Sequence, residues 1–445
     1  MTLKSTVSAA LAGERQAMVA LAIHRFGWPR ADVALLGRGD AAAIARLQEA
    51  AHKLVAPRSG AALVPTIVGT HDDNTVAQLA RCLDHDDAVA GAICADGHLG
   101  YSQPVGGVVA YREHISVSGV GFDIGCGNLA VRTDMPYDAV KDRVGEVLDA
   151  IGARISFGIG RVNDAPYEHA LFDDADAWRA AGAEALMPMA RRQLGTVGAG
   201  NHYVDLFHDV LPDVTAEESP VWIGIHFGSR GLGHRLATDY LKRGGGREGI
   251  NVPPTLLHQD TDLGRAYLAA MELAGRYAHA GREWVAAIVL DILGARAVDE
   301  VHNHHNFAWR EEVAGAPAWV VRKGCTPAFP GQRGFVGGSM GDDAVILEGV
   351  AGGAATALLN STVHGAGRLF GRKEAKRRFT RDEMLAWLQR RGVALRGGDL
   401  DESPMAYRRL PDVLAHHTDS ARILHTLRPF AVVMAGADVV DPFKD

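Results

Sequence analysis

The residues with the clearest chemical potential lie between Gly119 and Asn128, where a carboxylate and a thiol stand three positions apart among glycines. Asp123 and Cys126 can turn toward one point if the backbone between them folds tightly, which glycine permits at little steric cost. A carboxylate and a thiolate can together hold a divalent metal ion, with histidine as the usual further ligand. The alternative is a glycine turn with a buried cysteine that serves only as a small apolar side chain.

Three histidines elsewhere in the chain stand where a metal ligand is commonly found. His202 follows the glycine-rich segment 195–200, and His226 ends an apolar run that is typical of a buried strand. His305 closes a segment with three histidines among four residues, which exceeds what packing requires, although a solvated loop is the alternative there. Together with the carboxylate and the thiol they supply more ligands than one tetrahedral ion needs, so two ions bridged by the thiolate would use them economically. Donor softness alone favours zinc.

A further histidine has a different neighbourhood. His364 is followed by the small residues Gly365, Ala366 and Gly367, so bulky groups can approach its imidazole. A neutral imidazole can act as a nucleophile toward phosphorus, and metal ions would help to neutralise charge in the transition state. The basic run that begins at Arg368 favours phosphate as the ligand, although a solvated helix face is the common alternative. The residues thus indicate a metal-dependent phosphoryl or nucleotidyl transferase; a metallohydrolase with His364 as general acid is the competing interpretation.

The elements that must position these side chains include both helices and strands. Hydrophobic periodicity predicts helices at Val76–Leu83, Ala139–Ile151, Asp174–Met187 and Asp262–Leu293. Strands are predicted at Ala62–Val68, Val108–Tyr111, Val221–His226, Ala318–Arg322, Ala344–Leu347 and Phe430–Met434. Thr380 and Glu383 predict a capping box at the start of another helix. We therefore predict a mixed α/β fold: one catalytic domain over residues 1–445, with a helical N-terminal extension (1–60), an acidic C-terminal tail (437–445) and loops that converge on a dinuclear metal site.

Composition restricts the class of protein. The chain has 445 residues, of which 47% are hydrophobic, and this is ample for a buried core. Its net charge of -7 restricts any nucleic-acid site to a local basic patch on an acidic body. The four cysteines form no CxxC pair, and we find neither a secretory signal nor an apolar run of membrane-spanning length. We expect a cytoplasmic protein with reduced thiols and no membrane partner.

Several of these motifs occur in the order typical of one family. From about Asp96 to Gly436 the chain resembles the RtcB-type RNA-splicing ligases. The matching motifs are Asp96–Gly107, Gly121–Gly127, Gly198–His202, His226–His234, His305–Asn306, Arg322–Gly324, Gly338–Gly341, His364–Arg368, Ala406–Tyr407 and His425–Arg428. One such motif is weak evidence, whereas this many in order argue strongly against coincidence.

The resemblance implies a specific reaction and a specific set of partners. The family joins RNA ends that bear a 2′,3′-cyclic phosphate or 3′-phosphate to 5′-hydroxyl ends, in tRNA splicing or RNA repair, and uses GTP and manganese. A histidine attacks the α-phosphorus of GTP, and the guanylyl group then passes to the RNA 3′-phosphate. The 5′-hydroxyl attacks that activated phosphate and GMP leaves. The implied partners are RNA, GTP and an archease-like activator.

The resemblance also assigns expected roles by position in the motifs. His364 is the expected nucleophile. The expected metal ligands, with Cys126 bridging two Mn²⁺ ions, are Asp123 and His202 on one ion and His226 and His305 on the other; Zn²⁺ is the alternative metal. Residues expected around the nucleotide are Asn201, Asp205, Asn306, Ser339, Gly365, Ala366 and Gly367. Candidates for holding RNA phosphates are Arg230, Arg368 and Arg372.

Four positions depart from the family pattern. Asp205 stands where a glutamate is usual, and Gly337 replaces a proline. Ala344 replaces a serine that contacts the nucleotide, and Met434 stands where a lysine helps to hold it. A methionine cannot donate a hydrogen bond or carry charge, and Lys444 in the tail is the candidate substitute. We therefore expect a divergent paralogue; the alternatives are a nucleotidyltransferase that caps 3′-phosphate ends with altered nucleotide preference, a metal-dependent phosphohydrolase, or a weakly active RNA-binding relative.

Overall fold

The structure is a computed structural model and describes residues 3–24, 26, 28–55, 63–164 and 167–439. Its α-helices are α1 (Leu3–Leu11), α2 (Arg15–His24), α3 (Arg30–Arg38), α4 (Ala41–Val55), α5 (Asp73–Leu83), α6 (Val117–Val120), α7 (Val144–Arg154), α8 (Ala175–Ala180), α9 (Met187–Gln193), α10 (Arg230–Arg243), α11 (Asp262–Leu293), α12 (Gly353–Ala357), α13 (Arg372–Arg378), α14 (Arg381–Arg390) and α15 (Leu410–Leu414). Its strands are β1 (Thr66–Ile67), β2 (Ala88–His98), β3 (Val105–Tyr111), β4 (His114–Ser116), β5 (Gly127–Pro136), β6 (Tyr203–Asp209), β7 (Pro220–Phe227), β8 (Leu256–His258), β9 (Ala297–His304), β10 (Asn306–Val313), β11 (Ala316–Lys323), β12 (Cys325–Pro327), β13 (Arg333–Val336), β14 (Ala344–Gly349), β15 (Ser361–Val363), β16 (Ala394–Gly398) and β17 (Ala421–Gly436).

Two sheets carry the fold. One has five strands in the order β1-β2-β3-β11-β10, and the other runs β13-β14-β17-β6-β7-β5-β9, with β16 added beside β17. The described pairs are antiparallel except for β1 with β2 and β16 with β17. Two further sheets have two strands each, β12-β15 and β4-β8. The mixed α/β class predicted from the sequence is confirmed.

Helix α11 packs in two parts of the hydrophobic core, and it spans Asp262–Leu293, the range predicted from the sequence. Its start is capped by Thr261, whose side chain accepts a backbone N–H of the first turn, and its end by Gly294 in the left-handed conformation. Tyr277, in its first half, belongs to one buried cluster, whereas Val289 packs with apolar side chains of the larger sheet. Neither α11 nor any other described helix is apolar enough over a sufficient length to span a membrane.

The other predicted elements are confirmed to different extents. The predicted strands and helix now labelled β3, β7, β11, β14 and α5 all form, and Thr380 makes the predicted capping box with Glu383 at the start of α14. The helix predicted at Asp174–Met187 is wrong as one unit, because Gly182 takes a left-handed conformation between α8 and α9. The helix predicted from Ala139 begins only with α7, after two short 3-10 turns.

The domain boundaries predicted at the chain ends stay predictions. Residues 1–60 were predicted to be helical, and helices α1 to α4 lie in this segment and pack around a cluster that includes Leu21 and Leu47. Residues 56–60 lie outside the described residues, and so do residues 440–445, among them Lys444. Residue 62 of the strand predicted at Ala62–Val68 lies outside the described residues, and the structure has only β1 in the rest of that segment. The strand predicted at Phe430–Met434 lies within the long β17. The assignment of the whole chain to one domain stays a prediction.

Strand ends from both sheets meet at one place. The side chains delivered there are Asp96 near the end of β2, Cys126 before β5, His202 before β6, His226 on β7, His305 between β9 and β10, and His364 after β15. Because each strand holds its terminal residue in a fixed direction, side chains far apart in sequence are brought to a common point.

Candidate active site and metal centre

A cavity of about 700 Å³ lies where the strand ends meet. Its wall contains the predicted nucleophile, all predicted metal ligands, all predicted nucleotide contacts and two of the predicted RNA-phosphate candidates, Arg368 and Arg372. Arg230 is not part of this wall. Ala344 is not part of it either; it is packed in a hydrophobic cluster beside Phe335, which makes a direct contact with the nucleotide implausible at that position.

The predicted metal ligands form a tight cluster around one sulfur atom. Sγ of Cys126 lies 3.6 Å from Nε2 of His202 and 3.3 Å from Nε2 of His226. Nε2 of His202 lies 3.0 Å from Oδ2 of Asp123. The ring of His305 follows that of His226, with 5.1 Å between the centroids. Ligand atoms of the cysteine, His202 and His226 all lie within 4.8 Å of one another, a spacing at which metal ions can be held.

The backbone around this cluster depends on two glycines and one arginine. Gly125 adopts φ +71°, and a Cβ at Gly228, just after β7, would collide with the carboxylate of Asp123. Arg282 of α11 ties these segments together, because its guanidinium donates to the carbonyls of Gly125 (3.0 Å) and Phe227 (2.6 Å). Sequence reasoning missed this arginine, since a single basic residue on a long helix belongs to no motif.

Burial and neighbouring charges set the protonation of the cluster. Burial raises the pKa of the Cys126 thiol well above its ordinary value, and the charge of Asp123 raises it further. Burial lowers the pKa of both His226 and His305 well below the ordinary histidine value. For Asp123 burial acts upward, but the hydrogen bond and charge of His202 outweigh it and lower the pKa. Neutral imidazoles and an ionised carboxylate are the forms that bind metal, and a bound divalent ion would displace the thiol proton.

The donor set fits divalent transition-metal ions. One carboxylate, one thiol and three imidazoles line the cavity, and Nδ1 of both His202 and His305 is buried without a hydrogen-bond partner in the part of the chain that the structure describes. Ions held here would polarise a phosphoryl group and offset its negative charge. The number of ions, their identity and the bridging role of Cys126 stay predictions.

His364 is oriented by Asp96. Its Nδ1 lies 2.7 Å from Oδ2 of Asp96, and the same oxygen accepts the backbone N–H of His364 at 3.0 Å. Burial acts to raise the pKa of this fully buried carboxyl, but the charge and hydrogen bonds of His364 outweigh it and lower the pKa. The ionised Asp96 holds the ring proton on Nδ1 and leaves Nε2 with a free lone pair, as a nucleophile requires. The His305 ring is 4.9 Å away between centroids, so His364 adjoins the metal ligands.

Asp96 is a residue that sequence reasoning noted without assigning it to the site. It stands with His98 in a glycine-rich motif, where local spacing suggested only that the two side chains could face the same side. Its partner His364 lies 268 positions further along the chain. Local spacing cannot reveal such a contact, because it depends on how β2 and β15 approach each other.

The predicted nucleotide contacts occupy one part of the cavity wall. Asn306 joins two loops there: its Oδ1 accepts the N–H of Gly324 at 2.7 Å, and its Nδ2 donates to the carbonyl of Asp123 at 3.4 Å. Asn201 and Ser339 line the wall nearby, and the segment 365–367 follows the candidate nucleophile directly. Polar groups and glycine backbone of this kind suit a phosphate or a nucleotide. Their contacts with a nucleotide stay predictions.

Three of the four departures from the family pattern, Asp205, Gly337 and Met434, line the cavity. Asp205 on β6 is 6% exposed and its Oδ1 accepts no hydrogen bond from any described residue. Burial raises its pKa well above the ordinary carboxyl value. Met434, on the adjacent β17, lines the same cavity and pairs with Tyr203. At Gly337 a Cβ would collide with the Tyr203 hydroxyl, which gives a steric reason for glycine at this position.

The three arginine candidates differ in how far their guanidinium groups are already engaged. Arg230 donates to two backbone carbonyls, at 2.8 and 3.4 Å, and so holds the loop that precedes β6. Arg368 donates to the Glu402 carboxylate at 3.1 Å and to the Tyr407 hydroxyl at 2.7 Å. Arg372 is 34% exposed and lies 3.5 Å from Glu402. Arg372 therefore offers the most accessible charge of the three, and the RNA-binding role of each stays a prediction.

A buried lysine also lines the cavity and received no role from the sequence. Lys323, which the sequence places in the motif Arg322–Gly324, donates through Nζ to the carbonyls of Tyr101 (2.6 Å) and Ser118 (3.2 Å). Burial lowers its pKa to about 8. A lysine with this pKa carries its charge in neutral solution and adds a positive group to the cavity wall.

Known proteins of one family match most of the chain. The sequence profile of the family described as "tRNA-splicing ligase RtcB" matches residues 76–187 and 173–435. The tRNA-splicing ligase RtcB of Thermococcus kodakarensis is 30% identical over 417 residues, covering 76% of this chain and 86% of that protein. The tRNA-splicing ligase RtcB of Archaeoglobus fulgidus is 31% identical over 423 residues, covering 77% and 87%. The RNA-splicing ligase RtcB of Escherichia coli is 28% identical over 373 residues, covering 77% and 89%.

Proposed function

The chain belongs to the RtcB family, and we propose that it is an RNA ligase that joins 3′-phosphate or 2′,3′-cyclic phosphate ends of RNA to 5′-hydroxyl ends. The proposed reaction uses GTP and Mn²⁺ and serves tRNA splicing or RNA repair. The names of the matching relatives, which are RNA-splicing and tRNA-splicing ligases, support the reaction class. The proposal is carried by the pair of His364 and Asp96, in which the carboxylate contacts Nδ1 and leaves Nε2 for the nucleotide, beside the metal-ligand cluster.

In the proposed first step Nε2 of His364 attacks the α-phosphorus of GTP. A P–N bond forms, the bond to the β-phosphate oxygen breaks, and pyrophosphate leaves. Asp96 keeps the proton at Nδ1 throughout and stabilises the positive charge that develops on the ring. Divalent ions held by the ligand cluster would supply Lewis-acid polarisation of the phosphoryl oxygens.

A 2′,3′-cyclic phosphate end first has its bond between phosphorus and O2′ hydrolysed by water, which leaves a 3′-phosphate and a 2′-hydroxyl. In the proposed later steps the guanylyl group moves from the histidine to the RNA 3′-phosphate. An oxygen of that phosphate attacks the guanylyl phosphorus, the P–N bond breaks, and His364 returns to its neutral form. The RNA 5′-hydroxyl then attacks the activated 3′-phosphate and GMP leaves. The net charge of the chain is -7, so the RNA must be held by a local basic surface, for which Arg372 and the rest of α13 are the nearest candidates.

The test is covalent labelling with α-labelled GTP and Mn²⁺, followed by a denaturing gel. We expect a labelled band that is absent in His364→Ala and unchanged in His425→Ala, a matched control whose ring pairs with Asp209 outside the cavity. Labelling that persists in His364→Ala, in protein shown to hold metal, would overturn the assignment of the nucleophile. Labelling with ATP in place of GTP would support the histidine chemistry and show that the altered nucleotide wall has changed the preference.

A second assay separates joining from capping. An RNA with a 3′-phosphate and a 5′-hydroxyl is incubated with the protein, GTP and Mn²⁺, with and without an archease-like activator. Circular product supports ligation. Accumulation of RNA with a guanylylated 3′ end and no circles in either condition would favour the capping alternative, for which Met434 at the nucleotide wall is the specific motivation.

A further inference from the structure

Three large aliphatic side chains are exposed at the mouth of the cavity. Leu99, Ile250 and Leu369 line its wall, with relative exposures of 39%, 42% and 54%. None of them can donate a hydrogen bond to a phosphate or bind a metal ion, so the proposed phosphoryl chemistry does not use them. Single exposed aliphatic residues are common on protein surfaces, whereas several at the mouth of one polar cavity indicate a ligand with an apolar face.

Two of the three side chains are held together by one buried glutamine. Nε2 of Gln78 on α5 donates to the carbonyls of Gly100 and Ile250, at 2.5 and 2.8 Å, and its Oε1 accepts the N–H of Gly100 at 3.1 Å. Because Leu99 directly precedes Gly100, the two aliphatic side chains extend from backbone segments that a common side chain fixes. Their position is therefore set before a ligand binds, which lowers the entropic cost of binding.

Leu369 is fixed beside the same segment. Its N–H donates to the carbonyl of Ala406 at 2.8 Å. Two residues earlier, Gly367 packs so closely on the carbonyl of Asp96 that a Cβ there would collide with it. The backbone that leads to Leu369 therefore contacts the backbone that leads to Leu99, and we call Leu99, Ile250 and Leu369 together the apolar rim.

Positive charge adjoins the apolar rim on α13, which begins three residues after Leu369. Lys373 and Arg377 stand one turn apart on this helix, both exposed, and neither forms an ion pair with any residue that the structure describes. Arg372 of the same helix lines the cavity. Proteins that bind single-stranded nucleic acid combine these two features, since cations hold the backbone and apolar surfaces contact the bases.

We propose that the apolar rim binds the base of the RNA nucleotide that carries the reacting 3′-phosphate. This inference rests on the proposed function, since it takes RNA as the substrate. The 3′-phosphate must reach Nε2 of His364, and Leu369 follows that histidine by five residues on the same cavity wall. Beyond this nucleotide the strand continues along α13, where Lys373 and Arg377 neutralise its phosphates.

The guanine of GTP fits the apolar rim less well than a base of the RNA does. The positions at which the family pattern holds the nucleotide include Asp205 and Met434, which are only 6% and 7% exposed and so lie deeper in the cavity. An RNA chain extends out of the cavity and must cross its mouth, where the aliphatic side chains are exposed. Apolar contact of this kind accepts any base, because it uses no hydrogen bond that would select one.

The experiment is a binding cycle between protein variants and RNA variants. Dissociation constants are measured by fluorescence anisotropy, without GTP, for a short RNA with a 3′-phosphate and for the same RNA with a stable abasic analogue as its 3′-terminal nucleotide. The full-length chain is compared with Leu369→Ala and Ile250→Ala. Leu385→Ala is the control, because Leu385 is 40% exposed on α14 and lies outside the cavity wall. Lys373→Gln is the variant that changes a backbone contact alone.

We expect Leu369→Ala and Ile250→Ala each to weaken binding of the intact RNA about five- to tenfold, because each removes apolar carbon atoms from contact with the base. Neither should change binding of the abasic RNA by more than about twofold. Leu385→Ala should bind both RNAs as the native chain does. Lys373→Gln should weaken both RNAs equally and reduce the salt dependence of binding by about one phosphate contact.

Equal losses on the intact and the abasic RNA, or no loss on either, would overturn the proposal, and so would a native chain that binds both RNAs equally or not at all. A raised KM for GTP in covalent labelling of Leu369→Ala would also overturn it, because the rim would then hold the guanine. A native chain that binds RNA in the expected base-dependent way, yet is not labelled by GTP, would contradict the proposed function and support the assignment of the rim.

Discussion

Replacing Asp96 by asparagine tests how the nucleophile is prepared. The change keeps the shape of a fully buried side chain and removes its charge. In the native pair Oδ2 of Asp96 accepts both the Nδ1 proton and the backbone N–H of His364, at 2.7 and 3.0 Å. An asparagine that turns its amide nitrogen toward the ring would donate to Nδ1, which places the ring proton on Nε2 and removes the nucleophilic lone pair.

The expected effect follows from the energy of that contact. A hydrogen bond to a charged group contributes about 1.5–3 kcal/mol, and each ~1.4 kcal/mol corresponds to a tenfold change in rate, so the lost bond alone slows the reaction about 10- to 150-fold. A ring that carries its proton on Nε2 instead of Nδ1 slows the reaction further. The same aspartate-to-asparagine change slows serine proteases about 10⁴-fold. We therefore expect guanylylation of Asp96→Asn to be about 10²- to 10⁴-fold slower than that of the native protein.

The assay is the single-turnover rate of covalent labelling with α-labelled GTP and Mn²⁺. Asp209→Asn is the matched control, because Asp209 is also buried and holds Nδ1 of His425 at 2.7 Å, yet neither residue lines the cavity. Metal content and the denaturation midpoint are measured for both variants. Native labelling rates in a folded, metal-loaded Asp96→Asn protein would refute the argument that Asp96 fixes the tautomer of His364.

Three further changes test other parts of the site. Asp205→Asn should raise the free energy of unfolding by roughly 1–3 kcal/mol near pH 8 and leave it unchanged below about pH 4. Burial raises the pKa of Asp205 in the folded state, so the folded protein bears the full cost of the buried negative charge only above that pKa. Denaturant titration at both pH values checks this. Met434→Lys should tighten GTP binding about tenfold, because it adds a hydrogen-bond donor and a positive charge to the cavity wall where methionine offers neither; an unchanged Kd relative to Met434→Leu would contradict this. Arg282→Met should lower the free energy of unfolding, measured in urea, by roughly 1–3 kcal/mol for each buried carbonyl that loses its donor, those of Gly125 and Phe227.

Much of the fold could be predicted because local patterns encode local structure. The apolar periodicity of residues 262–293 predicts a helix, and the structure has it over the same residues, with Thr261 and Gly294 as its caps. The prediction at Asp174–Met187 failed where one residue, Gly182, took a left-handed conformation inside an otherwise helical pattern. Periodicity measures the average tendency of a segment, whereas a single backbone reversal ends a helix.

By itself the sequence determined the residue types of the site, the motifs that relate it to the RtcB family, and, of the strands that deliver those residues, β7 with His226. Only the tertiary structure decided which partners meet: Asp96 with His364, Arg282 with the carbonyls beside Cys126, and Arg368 with Glu402. It also decided that Oδ1 of Asp205 is buried without a hydrogen-bond partner among the residues that the structure describes. The physical reason is that hydrogen bonds and desolvation depend on distances across the folded core, which the packing of two sheets and one long helix sets and which no local spacing of residues can encode.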